Sequence, residues 1–400
     1  MSPTTAAASR FSLARWCGWV TVGGLALTPL FAWIWPMGFT ALVCLMGLLC
    51  LPALRVTDED RPAAVLLLLI LVWAAMSSAW SPFHPSKANN NTALKLAFQL
   101  PLYWSAWCGA QRADPELKRL GLKVLTWGVA LLAVMLLVEF ATDAAIYERL
   151  HVALYEPIRH DLAEVNVAHS TFILMLLAPL AVGAALRVGV TPWIGLLMIA
   201  GAVAPGLRFK AEAPTVAAAL ACIVGLVAWR WPKGGPRALA GAAVVYVLTA
   251  PLVILGVRAS GLYPTIEGGV EESWSMRLDF WSHAVNWIQD HPLRGWGVDA
   301  SRTFGPGIIL HPHDGALQVW LELGAVGAVL AAGFWFVTLR RLARPAAGTG
   351  AAAVAASAAV YLLFGALNFG VWQEWWLAMG ALVAVGAALL KAPSPSQAST

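Results

Sequence analysis

Two histidines flank a proline at the start of an apolar stretch, in the order His311-Pro312-His313. Proline favours the first position of a helix, which predicts a helix that begins at Pro312 with His311 at its cap. His313 would then project from the first turn, where the positive end of the helix dipole favours a neutral imidazole and attracts phosphate oxygens. The pattern predicts a general base beside an anion site. A histidine that only holds an interfacial loop would use the same residues.

Three polar residues continue this motif at helical spacing: Asp314, Gln318 and Glu322. Each is four residues from the next, so they share one face of the predicted helix as it enters an apolar environment. Ionisable groups in such surroundings are candidates for function. A stripe that hydrogen-bonds to a neighbouring helix explains Gln318 and Glu322 equally well.

Arg277 lies four residues before Trp281, which places both side chains on one face of a second predicted helix. A guanidinium can hold phosphate oxygens through two parallel hydrogen bonds and keeps its charge near lipid. We therefore predict that Arg277 binds phosphate. The alternative is a surface salt bridge with Asp279 or Glu272.

The limits of this second helix are predicted by its flanking residues. Ser273 or Ser275 can cap its start, and the helix must stop before Pro292. The sequence Gly-Trp-Gly at 295–297 is typical of a tight turn with an interfacial tryptophan. We interpret that turn as structural.

Further cations occur between other apolar runs. Arg208 and Lys210 lie in a short turn, with one residue between them, and could neutralise a lipid-anchored diphosphate. They could equally be snorkelling side chains that pair with Glu212. The polar segment 142–167 adds Arg159 as a possible cavity-lining residue.

Signatures of metal and nucleotide chemistry are missing on the side of the membrane where these residues are expected. The acidic run at 58–60 has the acid-x-acid spacing of metal-dependent sugar transferases. The distribution of Lys and Arg, however, predicts that this run lies on the cytoplasmic side of the membrane. The sequence has no HExxH motif, no P-loop and no GxGxxG motif after a strand. We expect no metal and no cofactor.

The elements that must position these residues are membrane helices. The chain of 400 residues is 60% hydrophobic and only 12% charged, about half the charge of a soluble domain. Its apolar runs are long enough for a bilayer, where backbone groups must pair within their own segment. This predicts an all-α, polytopic membrane protein. The predicted spans, about twelve, lie near 16–35, 37–54, 62–80, 93–110, 120–141, 168–187, 191–206, 214–231, 238–257, 318–339, 350–367 and 372–391.

The distribution of cations predicts the orientation of these spans. Most of the 26 Lys and Arg residues, Arg10 and Arg344 among them, fall in one alternating set of short turns and tails, which is therefore cytoplasmic together with both termini. The longest segment of the opposite set, 258–317, lies between spans nine and ten. We predict one membrane domain over 1–391, with 258–317 as a helical periplasmic catalytic loop, and a disordered cytoplasmic tail at 392–400.

The motifs resemble those of the O-antigen ligase and polymerase superfamily, and O-antigen ligase in particular. The family pattern runs histidine-x-histidine-asparagine, then leucine, then glutamate-x-glycine, and an arginine precedes a tryptophan in the long outer loop. This sequence matches it at His311, His313, Leu317, Glu322, Gly324, Arg277 and Trp281, with Asp314 in place of asparagine. The similarity of architecture covers nearly the whole chain, but the motifs cover only about its last third.

A second family arginine usually follows a serine in the turn before the eighth span. In this chain that turn contains Arg208 and Lys210 without the serine, so either could fill the role.

The resemblance implies an inverting, metal-independent transfer at the periplasmic face of the inner membrane. The donor would be polysaccharide on undecaprenyl diphosphate, and the acceptor would be a sugar hydroxyl on the lipid A–core oligosaccharide. His313 would be the base and Arg277 the second catalytic residue. The other site residues, expected to bind substrate, are Arg208, Lys210, Arg159, His311, Asp314 and Trp281. The remaining partners are membrane lipids, no nucleic acid is expected, and the oligomeric state stays open.

Three alternatives remain at this point. An O-antigen polymerase would use a second lipid-linked chain as acceptor, and a protein O-oligosaccharyltransferase would use a serine or threonine. A lipid or solute transporter would place charges near the middle of its spans and interrupt its helices with paired Gly and Pro positions. The spans here are nearly free of charge, which favours the enzymes.

Overall fold

The computed structural model describes residues 12–343 and 348–391, and these form α-helices and loops without a strand. The predicted all-α class is confirmed. The predicted tail at 392–400, Arg10 and Arg344 lie outside the described residues. The described helices are α1 Leu13–Ile34, α2 Phe39–Leu49, α3 Arg61–Ser77, α4 Thr92–Arg112, α5 Pro115–Thr142, α6 Ala145–Leu154, α7 His160–Val188, α8 Ile194–Arg208, α9 Ala213–Arg230, α10 Gly234–Ala259, α11 Tyr263–Gly269, α12 Glu272–Asp290, α13 Gly315–Arg340, α14 Gly348–Leu367 and α15 Glu374–Leu390.

Every predicted span overlaps one of these helices, but the bounds differ: α2 has only 11 residues within the predicted span 37–54, and α7 begins at His160 instead of 168. Seven of them are long and apolar enough to cross a membrane, namely α1, α5, α7, α9, α10, α13 and α14. The number of 12 crossings stays a prediction. The three helices that match no predicted span are α6, α11 and α12, and all three lie in the segments 142–167 and 258–317 that the sequence places outside the membrane.

The described chain forms two compact units that alternate along the sequence. The first takes its described residues from 12–55, 101–211 and 378–391, and the second from 56–100, 212–343 and 348–377. In the first unit α5 packs against α1, α7 and α8. Small residues allow these helices to approach closely, since a Cβ added to Gly201 would lie 2.7 Å from the backbone of Ala133.

In the second unit α13 packs against α10 and α3, and α9 packs against α14. Helix α12 and the loop that follows it form a separate apolar cluster with residues of α10 and α13. Its buried members are Ala284, Val285 and Ile288 of α12, Ala300, Phe304 and Ile308 of the loop, Leu317 and Leu321 of α13, and Ala250 and Ala316. Trp287 stacks on Phe304 with ring centroids 4.4 Å apart. The 258–317 segment is thus anchored on α13 by its own core.

Helix α13 is broken at Gly324, which has φ 64° and ψ −163°. The turn after α12 fills the break with its backbone: Trp296 N donates to Leu321 O at 2.9 Å, and Ala325 N donates to Pro292 O at 2.8 Å. A Cβ on Gly324 would lie 2.4 Å from Leu293 O. The break therefore leaves no unpaired group at these positions, as an apolar environment demands. Gly295 and Gly297 have positive φ values of 69° and 98°, as expected for the tight turn predicted at 295–297. The interfacial position of Trp296 stays a prediction.

Both predicted helix starts are wrong. Helix α13 begins at Gly315 with Asp314 as its N-cap, not at Pro312 with His311 as the cap. The reason is His313, whose φ of 58° is left-handed and incompatible with a helix. Helix α12 begins at Glu272 without a side-chain cap, so neither predicted serine caps it. Its predicted end before Pro292 is confirmed.

Candidate active site

The loop that leads into α13 folds His313 back onto His311. His313 Nδ1 lies 3.0 Å from the carbonyl oxygen of His311, and the backbone N–H of His313 donates to His311 Nδ1 at 3.1 Å. The two rings are 4.2 Å apart between centroids. His313 tolerates its left-handed backbone because histidine is among the residues enriched in that region, and the two hydrogen bonds hold it there.

These contacts fix the tautomer of His313. A carbonyl oxygen can only accept, so Nδ1 of His313 carries the proton and Nε2 carries the free lone pair. Burial and the charge of Arg277 lower the pKa of His313 below its ordinary value. The imidazole is therefore held neutral, with one nitrogen available as a base.

Helix α12 supports this loop from one side. The Phe280 ring stacks on His313 with centroids 5.7 Å apart, and Trp281 Nε1 donates to Pro312 O at 3.0 Å. Trp281 lies one turn after Arg277 on the same helix, as the sequence predicts. A single helix thus carries the aromatic support of His313 and the nearby cation.

Arg277 is half-buried and has few partners. Its Nη1 donates to Ser273 O at 2.9 Å, and its guanidinium lies 5.0 Å from the Trp274 ring centroid. Its Nε is buried and has no hydrogen-bond partner among the described residues. No ion pair of Arg277 occurs within that part of the chain either, so the predicted alternative of a surface salt bridge is not found there. Burial lowers the pKa of Arg277 from its ordinary value, and Glu212 opposes this. Among the described residues the guanidinium has one hydrogen-bond acceptor and no counter-ion, so its charge is not neutralised there.

Asp314 performs a structural task next to His313. Its Oδ1 accepts from Leu317 N and from the Tyr246 hydroxyl, each at 2.9 Å. Tyr246 in turn accepts from Ala316 N at 3.3 Å. Burial raises the pKa of Asp314 to about 6, although these hydrogen bonds oppose the shift. The Asp314 carboxyl caps the N-terminus of α13 and, through Tyr246, links this helix to α10.

The polar stripe of α13 is saturated with hydrogen bonds inside the second unit. The Glu322 carboxylate is fully buried and accepts from Asp299 N at 2.8 Å, Ser301 Oγ at 2.6 Å and Gln318 Nε2 at 3.1 Å. Trp372 Nε1 donates to it as well, at 2.5 Å. Four donors satisfy this buried carboxylate. The contacts support the interpretation that Gln318 and Glu322 join structural elements.

The remaining predicted cations lie in the first unit. Arg208 donates to Asp143 Oδ1 through Nε at 3.0 Å and Nη2 at 2.7 Å. Arg159 pairs with both oxygens of Asp161, at 3.1 and 2.7 Å. Lys210 is exposed and has a left-handed backbone with φ 57°. His313 and Arg277 belong to the second unit. The predicted convergence of all these groups on one substrate stays a prediction.

One group among the described residues has the side chains of a metal site. Asp143, His160 and Glu164 offer ligand atoms within 4.8 Å of one another. The carboxylate of Asp143 is already engaged by Arg208, which supplies positive charge to this cluster. We assign no metal to it.

Sequence reasoning missed three residues that contact the histidines or the start of α13: Phe280, Tyr246 and Gln373. Phe280 directly precedes the predicted Trp281, which is a signal that could have been used. Tyr246 lies within an apolar run, and Gln373 lies 62 residues from its partner His311. Only the folded chain brings those two to the site.

Residues 175–332 match the family model described as O-antigen ligase. The resemblance to O-antigen ligases is confirmed. The matched segment contains every predicted site residue except Arg159. Together with the seven apolar helices, the match identifies a multi-pass membrane protein.

Similar curated proteins occur in Rickettsia and are named "putative polysaccharide ligase". The protein of Rickettsia conorii is 28% identical over 137 residues, which is 31% of this chain and 33% of the relative. The protein of Rickettsia bellii is 27% identical over 170 residues, which is 36% of this chain and 41% of the relative. The matches thus cover less than half the length of these relatives. No solved structure matches the chain.

Proposed function

We propose that this protein is an O-antigen ligase. It transfers O-antigen polysaccharide from undecaprenyl diphosphate to the lipid A–core oligosaccharide at the periplasmic face of the inner membrane. The observation that carries the proposal is His313: a neutral imidazole with Nε2 free, beside an arginine that has no ion-pair partner among the described residues. The match of residues 175–332 to the family model described as O-antigen ligase supports the proposed substrate class.

In the proposed reaction, an acceptor sugar hydroxyl donates its proton to His313 Nε2 as its oxygen attacks the anomeric carbon of the donor. The new bond joins that oxygen to the anomeric carbon. The bond between this carbon and the diphosphate oxygen breaks, and its electron pair leaves with undecaprenyl diphosphate. Attack from the face opposite the leaving group inverts the anomeric centre.

Arg277 is proposed to stabilise the leaving group. Negative charge grows on the diphosphate as the bond breaks, and a fixed guanidinium with free donors stabilises it most in the transition state. Because this guanidinium can neutralise the charge on the departing diphosphate, we propose a metal-independent transfer. EDTA should then leave the rate unchanged, whereas a strict metal requirement would contradict this part of the proposal.

The other predicted site residues are proposed either to position the His313 loop or to bind the substrate. The hydrogen bonds of Trp281 to Pro312 and of Asp314 to Leu317 favour positioning of the His313 loop over direct contact with substrate. Arg208, Lys210 and Arg159 are proposed to bind the substrate. The orientation with both termini in the cytoplasm and 258–317 in the periplasm is part of the same proposal.

The test is a competition between two acceptors. The purified protein receives one lipid-linked polysaccharide donor together with lipid A–core and a second lipid-linked chain in equal amounts. A ligase transfers to lipid A–core and releases undecaprenyl diphosphate in equal amount. Transfer to the second chain alone would instead identify a polymerase, and no transfer to either acceptor would contradict the enzyme class.

A further inference from the structure

Each residue of the short segment 371–374, at the start of α15, hydrogen-bonds to another part of the second unit. Two of these residues reach the polar stripe of α13, and one reaches the histidine loop, residues 311–314. The fourth, Glu374, binds both Lys95 and Gln99 of α4. The pairs are Val371 N with Gln318 Oε1 at 2.9 Å, Trp372 Nε1 with Glu322 Oε2 at 2.5 Å, Gln373 Nε2 with His311 Nε2 at 3.2 Å, and Glu374 Oε1 with Lys95 Nζ at 2.6 Å. Gln373 is therefore held from both sides along the chain.

The ring of His311 can take only one neutral form here. Its Nδ1 accepts the backbone N–H of His313 at 3.1 Å, so that nitrogen carries no proton. Burial, His313 and Arg302 lower the pKa of His311 to about 3, which keeps the ring neutral. A neutral imidazole has one donor and one acceptor. The proton of His311 must then be on Nε2.

The side chain that faces this proton is the amide of Gln373, 3.2 Å away. An N–H on His311 Nε2 needs an acceptor, and the amide offers one in Oε1. In the structure Gln373 Nε2 faces the ring, while Oε1 is buried and has no hydrogen-bond partner among the described residues. The oxygen and nitrogen of an amide exchange places by a rotation that leaves its shape unchanged. The hydrogen-bond pattern thus favours the amide orientation in which Oε1 of Gln373 faces His311.

We propose that Gln373 is a positioning residue for the base. Its side-chain oxygen holds His311 in the Nε2–H form, and His311 then accepts from the backbone of His313 and fixes the orientation of that ring. The inference rests on the proposed role of His313. Gln373 touches neither the reacting hydroxyl nor the diphosphate in this account.

A carboxylate at position 373 would reverse the effect of the charges around His311. The charged or titratable groups near His311 are His313 and Arg302, with the Glu374–Lys95 pair next to Gln373. In the variant Gln373→Glu, the introduced carboxylate would accept from Nε2–H as the amide does, but its charge would stabilise the imidazolium of His311. A protonated Nδ1 cannot accept from His313, so the base would lose its support as the pH falls.

The experiment compares Gln373→Leu and Gln373→Glu with Gln289→Leu and Gln289→Glu. Gln289 is an exposed glutamine on α12 and serves as the matched control. We expect Gln373→Leu to lower kcat about 10- to 100-fold with little change in KM, because a displaced base costs rate more than binding. We expect Gln373→Glu to move the acid limb of the pH–rate profile to higher pH, with a rate near that of the unsubstituted protein above it. Wild-type profiles for both Gln373 variants would overturn the inference.

A second readout does not depend on activity. In ¹⁵N-histidine NMR of the unsubstituted protein, His311 should give the Nε2–H tautomer and His313 the Nδ1–H tautomer. An Nδ1–H signal from His311 would overturn the inference even if the Gln373 variants fail to fold. A fully active His313→Ala protein would contradict the proposed function, whatever the Gln373 variants show. An inactive His313→Ala protein with wild-type Gln373 variants would remove only the role of Gln373.

Discussion

His313 donates its Nδ1 proton to the carbonyl oxygen of His311, two residues earlier in the chain, over 3.0 Å. His313 has a left-handed backbone, with φ 58°. Because the carbonyl oxygen takes the Nδ1 proton, this one hydrogen bond leaves Nε2 as the nitrogen that can act as a base.

Arg277 should be replaceable by neither alanine nor lysine. Arg277→Ala removes a charge expected to stabilise the leaving group, and a loss of about 100- to 1000-fold in kcat is typical for one such donor. Arg277→Lys should restore little, because a point charge cannot reproduce two parallel donors. Initial rates with purified protein test this, and Arg258→Lys on α10 is the control. Full activity of Arg277→Lys would reduce the site to simple charge attraction.

The activity should persist at mildly acidic pH. A base works only when unprotonated, so activity falls as the pH drops through the folded-state pKa of His313. Burial and Arg277 lower that pKa below the ordinary 6.5, so the acid limb of kcat/KM should lie below pH 6.5. A profile of kcat/KM measured with the unsubstituted protein checks this. An acid limb above pH 6.5 would contradict the assignment of His313 or of its surroundings.

Asp314→Asn should preserve both folding and transfer. An asparagine oxygen can accept from Leu317 N and Tyr246 as the carboxyl does, and the family pattern has asparagine at this position. Asp314→Ala should lower the free energy of unfolding by about 0.5–2 kcal/mol, the usual cost of a lost N-cap. Thermal unfolding in detergent measures both variants. Loss of activity in a fully stable Asp314→Asn protein would instead indicate contact with substrate.

Gly324→Ala should destabilise the protein much more than Gly256→Ala. A Cβ at Gly324 would meet Leu293 O at 2.4 Å, and the left-handed backbone adds strain of about 1–3 kcal/mol. A Cβ at Gly256 in α10 would meet nothing within 4 Å. Melting temperatures of the two variants give the comparison. Equal melting temperatures would mean that the break in α13 is not required.

The sequence predicts the helices well because long apolar runs have few alternatives in a bilayer. It also predicts the pairing of Arg277 and Trp281 on one helix face, which depends only on local spacing. The break at Gly324 is not predictable in this way, because a glycine within an apolar run is locally tolerated and its partner turn lies some 30 residues earlier along the chain.

The details of the histidine loop were missed for a related reason. The proline before His313 favours a helix start, but the left-handed backbone of His313 moves that start to Gly315. The contact of Gln373 with His311 joins residues 62 positions apart, and no local pattern indicates it. Long-range hydrogen bonds, rather than local preference, set the orientation of the proposed base.

The most direct test of the account is single-turnover transfer by His313→Ala. Purified His313→Ala and the control His283→Ala, an exposed histidine on α12, each receive a lipid-linked polysaccharide donor and lipid A–core. We predict a loss of at least about 100-fold in the transfer rate for His313→Ala, the usual contribution of a general base, with unchanged thermal stability and a near-normal rate for His283→Ala. Transfer by His313→Ala at the rate of the unsubstituted protein would contradict the account.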